Sequence, residues 1–115
     1  MDTMAAERIR AEVTASDVVL YMKGTPVFPQ CGNSAQAVQI LNILGVRYKA
    51  IDVLADPSLR QGIKDFSDWP MLPQIYIKGE FIGSADILRE MLESGDLQKL
   101  LVEKGIPHET RLQVA

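Results

Sequence analysis

The feature that most restricts the fold is a run of five apolar residues near the N-terminus, Val18-Val19-Leu20-Tyr21-Met22. The run is far shorter than the ~18 residues that a membrane helix needs. Successive side chains of a strand point to opposite faces of its sheet, so a strand that is apolar throughout is covered on both faces. The run therefore predicts a central strand with other elements packed above and below it.

The rest of the chain predicts the covering helices and three further strands. Apolar residues at helical spacing indicate helices near residues 9–13, 37–44 and 59–66. A second strand is expected over 48–53, and a hairpin over 74–83 that turns at Gly79. Two more helices are expected, one opened by Ser84 or Asp86 and one capped by Asp96. The predicted order is α-β-α-β-α-β-β-α-α.

This order predicts an α/β domain with a mixed four-stranded sheet flanked by helices. The hairpin strands must be antiparallel, whereas strands joined through a helix are usually parallel. A chain of 115 residues that is 47% hydrophobic suffices for one domain. We expect this domain to span residues 1–106 and a polar tail to span 107–115. The single histidine, His108, is expected to be solvated in that tail, which disfavours Cys–His hydrolysis.

Charge and the N-terminal sequence exclude several functional classes. A net charge of −3 indicates no nucleic-acid surface. The N-terminus lacks the basic and then apolar layout of a secretory signal, and its arginines alternate with glutamates, unlike a transit peptide. We therefore expect a cytoplasmic protein that binds neither nucleic acid nor membrane.

The only cysteine, Cys31, is the strongest candidate for chemistry. One cysteine cannot form an internal disulfide or build a metal site from this chain's cysteines alone. Cys31 lies where a loop with one glycine and two prolines meets a predicted helix, whose N–H groups and dipole favour a thiolate. Lys23 adds a positive charge if the loop folds back. Such a thiolate is a nucleophile or a soft metal ligand, and the alternative is a buried, inert cysteine.

Ser34 limits the redox chemistry that Cys31 can perform. Cys31-Gly32-Asn33-Ser34 has the spacing of a C-x-x-C redox motif, with serine in place of the second cysteine. A hydroxyl is too weak an acid to attack a disulfide, so an external thiol must resolve any mixed disulfide at Cys31. Phosphatase chemistry of the C-x5-R type is excluded because position 37 is Ala37.

Five segments in order give the chain a resemblance to the monothiol glutaredoxin family. Each segment is weak alone, but the ordered set is specific and covers roughly residues 7–105. The segments are KGTP at 23–26, CGNS at 31–34 where the family has C-G-F-S, FSDWP at 66–70, LPQIY at 72–76 and GEFIG at 79–83. The resemblance implies a thioredoxin-like fold and a cis peptide bond at Leu72-Pro73.

The resemblance also implies a glutathione site formed by Lys23, Arg60, Leu72, Ala85 and Asp86. Lys23 and Arg60 are suited to pair with the carboxylates of the tripeptide. The backbone of Leu72 can offer a strand edge. Asp86 and the neighbouring amides at a helix start are suited to the γ-glutamyl end.

A bridging 2Fe-2S cluster follows from the same resemblance. Such a cluster normally takes four thiolates, and the family supplies them from the cysteine of each of two subunits and from two glutathione molecules. The resemblance thus implies a cluster-bridged homodimer, or a pair with a BolA-type partner, that delivers clusters to iron–sulfur client proteins. Cys31 would be both the catalytic thiol and the metal ligand.

Two alternatives remain open at this point. One is a glutathione-dependent thiol–disulfide oxidoreductase that removes glutathione from proteins through Cys31 without a cluster, and at most a weak enzyme because Ser34 cannot resolve disulfides. The other is an interaction module that glutathionylation of Cys31 regulates. The colour of the purified protein separates a cluster carrier from both.

Three residues depart from the family pattern near the proposed glutathione site. Asn33 stands where the family has phenylalanine, Met71 replaces a threonine, and Ser84 replaces the second glycine of a pair. The milder interpretation is a cluster carrier with an altered cluster lifetime. The stronger one is a protein that has lost cluster binding and keeps only thiol chemistry.

Overall fold

The computed structural model describes residues 3–109, and its elements follow the predicted order. The helices and strands are α1 Thr3–Ala15, β1 Val18–Met22, α2 Gly32–Ile43, β2 Lys49–Asp52, α3 Pro57–Ser67, β3 Gln74–Ile77, β4 Glu80–Gly83, α4 Ala85–Ser94 and α5 Asp96–Glu103. Among the helices of this described part, none combines the length and the apolar content needed to cross a membrane.

The four strands form one mixed sheet in the order β2-β1-β3-β4. β1 pairs with β2 in parallel, while β3 is antiparallel to both β1 and β4. The hairpin turns at Lys78 and Gly79, both at positive φ, as a tight two-residue turn requires. The predicted mixed sheet is therefore confirmed.

β1 is buried on both faces and separates two hydrophobic cores. Val18, Leu20 and Met22 pack in the core that contains α2, α4 and α5. Val19 and Tyr21 point the other way, into the core that contains α1 and α3. All five side chains are at most 1% exposed, so the prediction from the apolar run is confirmed.

Some predicted details at the last two helices were wrong. Gly95, in the left-handed conformation with φ of 86°, is the N-cap of α5, and Asp96 is its first helical residue. Ser84, one of the two predicted starts of α4, is its N-cap, although its side chain makes no capping hydrogen bond. Ile87, whose helical spacing with Leu88, Met91 and Leu92 predicts an inward position, is 37% exposed.

The beginning of the predicted tail lies against the domain. The backbone N–H of Glu109 donates to the carbonyl of Leu44 at 2.6 Å. His108 is half-buried, with its Nδ1 3.0 Å from the carbonyl oxygen of Ile106, so the expectation of a solvated histidine was wrong. Residues 110–115 lie outside the described part. The sequence predicts Asp2 or Thr3 as the cap of α1, and Asp2 also lies outside the described part. The boundary after residue 106 stays a prediction.

Asp56 fixes the start of α3, as the Asp56-Pro57 pair predicts. Its Oδ1 accepts hydrogen bonds from the backbone N–H groups of Ser58 and Leu59. Its Oδ2 accepts from Arg8 of α1 at 2.7 Å. The hydrogen bond from the Ser58 hydroxyl is the main cause that lowers the pKa of Asp56, with Arg8 adding to it. One carboxylate thus caps α3 and ties it to α1.

We predict that Asp56→Ala lowers the melting temperature at neutral pH, because α3 loses its cap and its link to Arg8. A carboxyl whose pKa is lowered by folding stabilises the protein above its unfolded pKa, and this contribution is lost as the pH falls through the folded value. The difference between wild type and variant should therefore shrink below the ordinary aspartate pKa of about 3.9. Thermal melts at neutral and acidic pH measure this difference.

Asp56→Asn is the matched control, because asparagine is also a good N-cap but carries no charge. It should melt above Asp56→Ala at neutral pH. A difference between wild type and Asp56→Ala that stays constant down to the lowest pH would contradict the prediction.

Candidate functional site

The strand register brings four connecting segments to one end of the sheet. Met22 at the end of β1 pairs with Asp52 at the end of β2. Tyr21 pairs with Gln74 at the start of β3, and β4 ends at Gly83, opposite Ile75. The segments that follow β1, β2 and β4 and the segment that precedes β3 therefore all lie at this end.

Each predicted glutathione residue lies on one of these segments. Lys23 directly follows β1, and Arg60 is exposed in the first turn of α3. Leu72 is buried two residues before β3, and the predicted cis peptide bond between Leu72 and Pro73 is present. Ala85 is buried and Asp86 is exposed in the first turn of α4. The fold thus collects these residues at one end of the sheet, while their contacts with glutathione stay a prediction.

Gly24 lets the loop after β1 turn back towards the sheet. Its φ is +90°, and a Cβ there would lie 2.5 Å from the carbonyl oxygen of Phe28, so no other residue fits without rearrangement. The N–H of Gln30 donates to the carbonyl of Lys23 at 2.8 Å. The loop closes on itself, as required for Lys23 to lie near the cysteine.

Cys31 ends this loop as the N-cap of α2. The side chain is half-buried, and the thiol is free. Its Sγ accepts a hydrogen bond from the backbone N–H of Ser34 at 3.4 Å and lies 3.3 Å from the Ser34 hydroxyl oxygen. The sulfur thus occupies the position where a capping side chain would normally place an oxygen.

The surroundings of Cys31 favour its thiolate. Burial is the largest single influence and raises the pKa, but several other contributions together outweigh it and leave the pKa lowered. These are hydrogen bonds from the Ser34 hydroxyl and from the backbone N–H groups of Ser34 and Asn33, and the charge of Lys23. Cys31 is therefore not a fully buried thiol, and its reactivity stays a prediction that the lowered pKa favours. At position 33 the contributing group is the backbone N–H, which any residue except proline supplies.

Ser34 has a function that the sequence analysis missed. Its side chain is fully buried, and its Oγ accepts a hydrogen bond from the backbone N–H of Lys23 at 3.1 Å. When Cys31 is ionised, the Ser34 hydroxyl can donate its proton to the sulfur while it accepts from Lys23. The residue that prevents dithiol chemistry therefore stabilises the thiolate, and only the folded loop shows this.

Gln74 is a second residue that the sequence analysis missed. It is fully buried, and its side-chain amide donates to the carbonyls of Trp69 and Met71 at 3.0 and 3.2 Å. Its Oε1 accepts from the Tyr76 hydroxyl at 3.2 Å. Gln74 thereby fixes the segment before Leu72. A lone polar residue in an otherwise apolar strand is the signal that could have identified it.

The three departures from the family pattern leave the backbone of the site ordinary. Asn33 is exposed in the first turn of α2, and Met71 is 50% exposed. Ser84 has φ of −113°, a conformation that any residue adopts. These substitutions therefore change the surface of the site and not its framework.

The site offers a single soft ligand to a metal. Within residues 3–109 no group of three or more histidine, cysteine, aspartate or glutamate side chains is placed to hold a metal ion. Cys31 is the only thiol in the sequence. A cluster that needs four thiolates would have to take three of them from other molecules.

Comparison with known proteins gives consistent similarities. The glutaredoxin sequence family matches residues 18–82. A ycf64-like monothiol glutaredoxin of Synechocystis sp. is 50% identical over 101 residues, which are 88% of this chain and 94% of that protein. The probable monothiol glutaredoxin GrlA of Legionella pneumophila is 53% identical over 83 residues, covering 72% of this chain and 93% of that protein.

A solved structure shares the fold at similar identity. The solution structure of a monomeric truncated mutant of 1-C-Grx1 from Trypanosoma brucei superimposes with a TM-score of 0.84 at 43% sequence identity. The match covers 90% of this chain and 94% of that one. The thioredoxin-like architecture predicted from the sequence is thereby confirmed.

We predict that Ser34→Ala raises the pKa of the Cys31 thiol, because the thiolate loses its hydroxyl donor. The substitution also leaves the buried N–H of Lys23 without its acceptor, which should reduce stability by about 1–3 kcal/mol. The ultraviolet absorbance of the thiolate, followed against pH, measures the first effect, and denaturant unfolding measures the second.

Asn33→Ala is the control for this prediction, because it keeps the backbone N–H that contributes to the lowered pKa. It should titrate like the wild type. The interpretation would be wrong if Asn33→Ala shifted the pKa as much as Ser34→Ala, since the side-chain amide would then be the important group.

Proposed function

The chain belongs to the glutaredoxin family, in its monothiol class, and we propose that it binds glutathione beside Cys31 and carries a 2Fe-2S cluster shared with a second subunit. The observation that carries this proposal is the half-buried thiol of Cys31, whose pKa is lowered and which is the only thiol of the chain. Such a thiolate is a soft metal ligand, but it supplies only one of the four thiolates that a 2Fe-2S cluster takes.

The order of the strands supports glutathione as the ligand beside Cys31. Across the sheet, the strand order places Arg60 after β2, Lys23 after β1, Leu72 before β3 and Asp86 after β4. Neighbouring strands lie about 4.8 Å apart, so four strands span about 14 Å. An extended tripeptide is about 10 Å long. The strand ends that lead to these residues therefore span a distance comparable to the length of one glutathione molecule.

The charges of the proposed site residues indicate the orientation in which the tripeptide would bind. Lys23 and Arg60 lie towards the β2 side and would bind the glycyl carboxylate. Asp86 lies on the β4 side and would accept from the ammonium group of the γ-glutamyl residue. Because Ser84 makes no capping hydrogen bond to α4, the first N–H groups of that helix are suited to the γ-glutamyl carboxylate. Between these ends, the backbone of Leu72 would pair with the cysteinyl residue.

The cluster is cargo that two subunits hold together. Each Cys31 and each bound glutathione would supply one thiolate, which completes the four that a 2Fe-2S cluster takes. Half of the ligands would then be exchangeable small molecules, which suits a carrier that releases its cluster. The proposed partners are a second copy of this chain, or a BolA-type protein, and iron–sulfur client proteins that receive the cluster.

The surface around Cys31 supports a protein partner at this end of the sheet. Phe28, in the same loop, is 71% exposed, and Trp69 and Met71, in the segment before Leu72, are 42% and 50% exposed. Contiguous exposed apolar residues mark interaction surfaces, whereas single ones are normal, and Trp69 and Met71 lie two residues apart in one segment. A subunit facing this one across a shared cluster would cover them.

A glutathione-dependent oxidoreductase is the second candidate, and the same lowered pKa of Cys31 favours it. The thiolate would attack the glutathione sulfur of a glutathionylated protein, forming a Cys31–glutathione disulfide and releasing the protein thiolate, which takes a proton from water. A second glutathione thiolate would then attack the glutathione sulfur bound to Cys31. This step frees Cys31 and releases oxidised glutathione. The buried Ser34 hydroxyl cannot replace that second thiolate.

We predict that cluster binding requires both Cys31 and glutathione. Anaerobic reconstitution with iron, sulfide and glutathione should give the visible absorbance of an iron–sulfur cluster and a species of two chains in sedimentation. Cys31→Ser should abolish both, as should omission of glutathione from the wild-type mixture. A stable cluster on Cys31→Ser, or equal masses with and without the cluster, would contradict the proposal. Failure of the wild type to take up any cluster would leave the oxidoreductase as the better account.

We predict that Asn33 shortens the lifetime of the cluster relative to an aromatic residue at the same position. An exposed amide in the first turn of α2 leaves the site wetter, and access of water is one of the factors that tune such clusters. Asn33→Phe should therefore hold its reconstituted cluster longer in air, as followed by visible absorbance. Asn33→Ala is the control for size and should not prolong it. Equal or faster decay of Asn33→Phe would show that shielding is not the cause.

A further inference from the structure

Asp52 connects two of the segments that carry the proposed glutathione residues. It is the last residue of β2 and is half-buried. Its Oδ1 accepts two backbone hydrogen bonds of 2.9 Å each, one from the N–H of Gly24 and one from the N–H of Leu54. Gly24 begins the loop that leads to Cys31, and Leu54 begins the segment that leads to α3. One oxygen atom thus joins the two segments where they leave the sheet.

The hydrogen bonds beyond the end of the sheet show what this junction holds. The last backbone bond between the diverging strands runs from the N–H of Val53 to the carbonyl of Met22 at 2.9 Å. The N–H of Lys23 donates to Ser34 Oγ, and its carbonyl accepts from Gln30. With the Gly24 N–H bound to Asp52, the backbone on both sides of Lys23 is fixed.

We propose that Asp52 is a positioning residue for glutathione binding, acting through its two backbone hydrogen bonds to hold the Lys23 and Arg60 segments in register. This inference rests on the proposed glutathione site. Lys23 follows β1 and Arg60 follows β2, and Asp52 joins the two segments between them. Two cations held at a set separation would bind the glycyl carboxylate better than two cations on independent loops, because fewer groups have to be ordered when the ligand binds.

The charge of Asp52 cannot be the source of the benefit. A carboxylate that is bonded to the backbone beside Lys23 disfavours the carboxylates of glutathione by like-charge repulsion. The useful property is therefore the acceptor oxygen, which an asparagine also has. This distinction separates a positioning function from a purely electrostatic one.

The test compares Asp52→Leu with Asp52→Asn, which carry the same charge and have similar size. The measured quantity is the equilibrium constant for reaction of Cys31 with oxidised glutathione, which forms the Cys31–glutathione disulfide and releases one glutathione. Mass spectrometry of the intact protein measures the fraction that carries glutathione, from which this constant follows. Asp52→Leu should reduce this constant by roughly tenfold, comparable to the loss of one hydrogen bond to a charged group. Asp52→Asn should match or exceed the wild type.

A second measurement follows the junction without glutathione. Hydrogen exchange at the Gly24 and Leu54 amides should be faster in Asp52→Leu and unchanged in Asp52→Asn. Asp17→Leu is the matched control, because Asp17 precedes β1 at the opposite end of the sheet and pairs with Lys78; it should leave both measurements unchanged. If Asp52→Leu does not fold, Asp52→Ala replaces it, with circular dichroism as the check.

The outcomes separate this inference from the proposed function. Equal equilibrium constants for Asp52→Leu and wild type would overturn the inference, as would an Asp52→Asn variant that behaves like Asp52→Leu. Unchanged amide exchange in Asp52→Leu would overturn it as well. A wild-type protein that forms no glutathione disulfide would contradict the proposed glutathione site, while the exchange data would still decide whether Asp52 holds the two segments together.

Discussion

The structure depends on the burial of one strand on both of its faces. β1 contributes Val18, Leu20 and Met22 to one core and Val19 and Tyr21 to the other. A strand in this position must have neighbours on both edges and helices on both sides, because its backbone and its side chains are all withdrawn from water. The position of Cys31 follows from it, since the loop with the cysteine leaves the end of β1, between the segments that follow β2 and precede β3.

Burial raises the pKa of the Cys31 thiol, and the hydrogen bonds of backbone groups and a buried hydroxyl oppose it more strongly than the neighbouring charge does. Lys23 is the smallest of the contributions that lower the pKa, after the hydrogen bonds from Ser34 and from the backbone of Asn33. Hydrogen bonds from a rigid helix start are less sensitive to solvent and salt than the charge of a surface lysine. Substitutions on the surface of the site can therefore change what binds there without removing the hydrogen bonds that stabilise the thiolate.

Because the hydrogen bonds to Cys31 do not depend on surface side chains, the departures at Asn33, Met71 and Ser84 leave the backbone of the site unchanged. None of them is in a conformation that requires glycine, and the group at position 33 that acts on the thiolate belongs to the backbone. They alter what glutathione, a cluster or a partner would contact. The departures therefore change the contacts that the site offers and leave its backbone framework in place.

The sequence by itself determined the element order, the mixed sheet, the single cysteine at the start of a helix and the family, because these depend on local patterns of apolar residues, glycines, prolines and short motifs. Capping at Asp56 and the turn at Gly79 were predictable for the same reason. The sequence did not show that Ser34 stabilises the thiolate, that Gln74 holds the segment before Leu72, or that Asp52 joins the segments that follow β1 and β2. Each of these depends on hydrogen bonds to residues that are distant in sequence or on burial of a polar side chain. Only the tertiary structure decided them, because it alone fixes which donors and acceptors meet away from water.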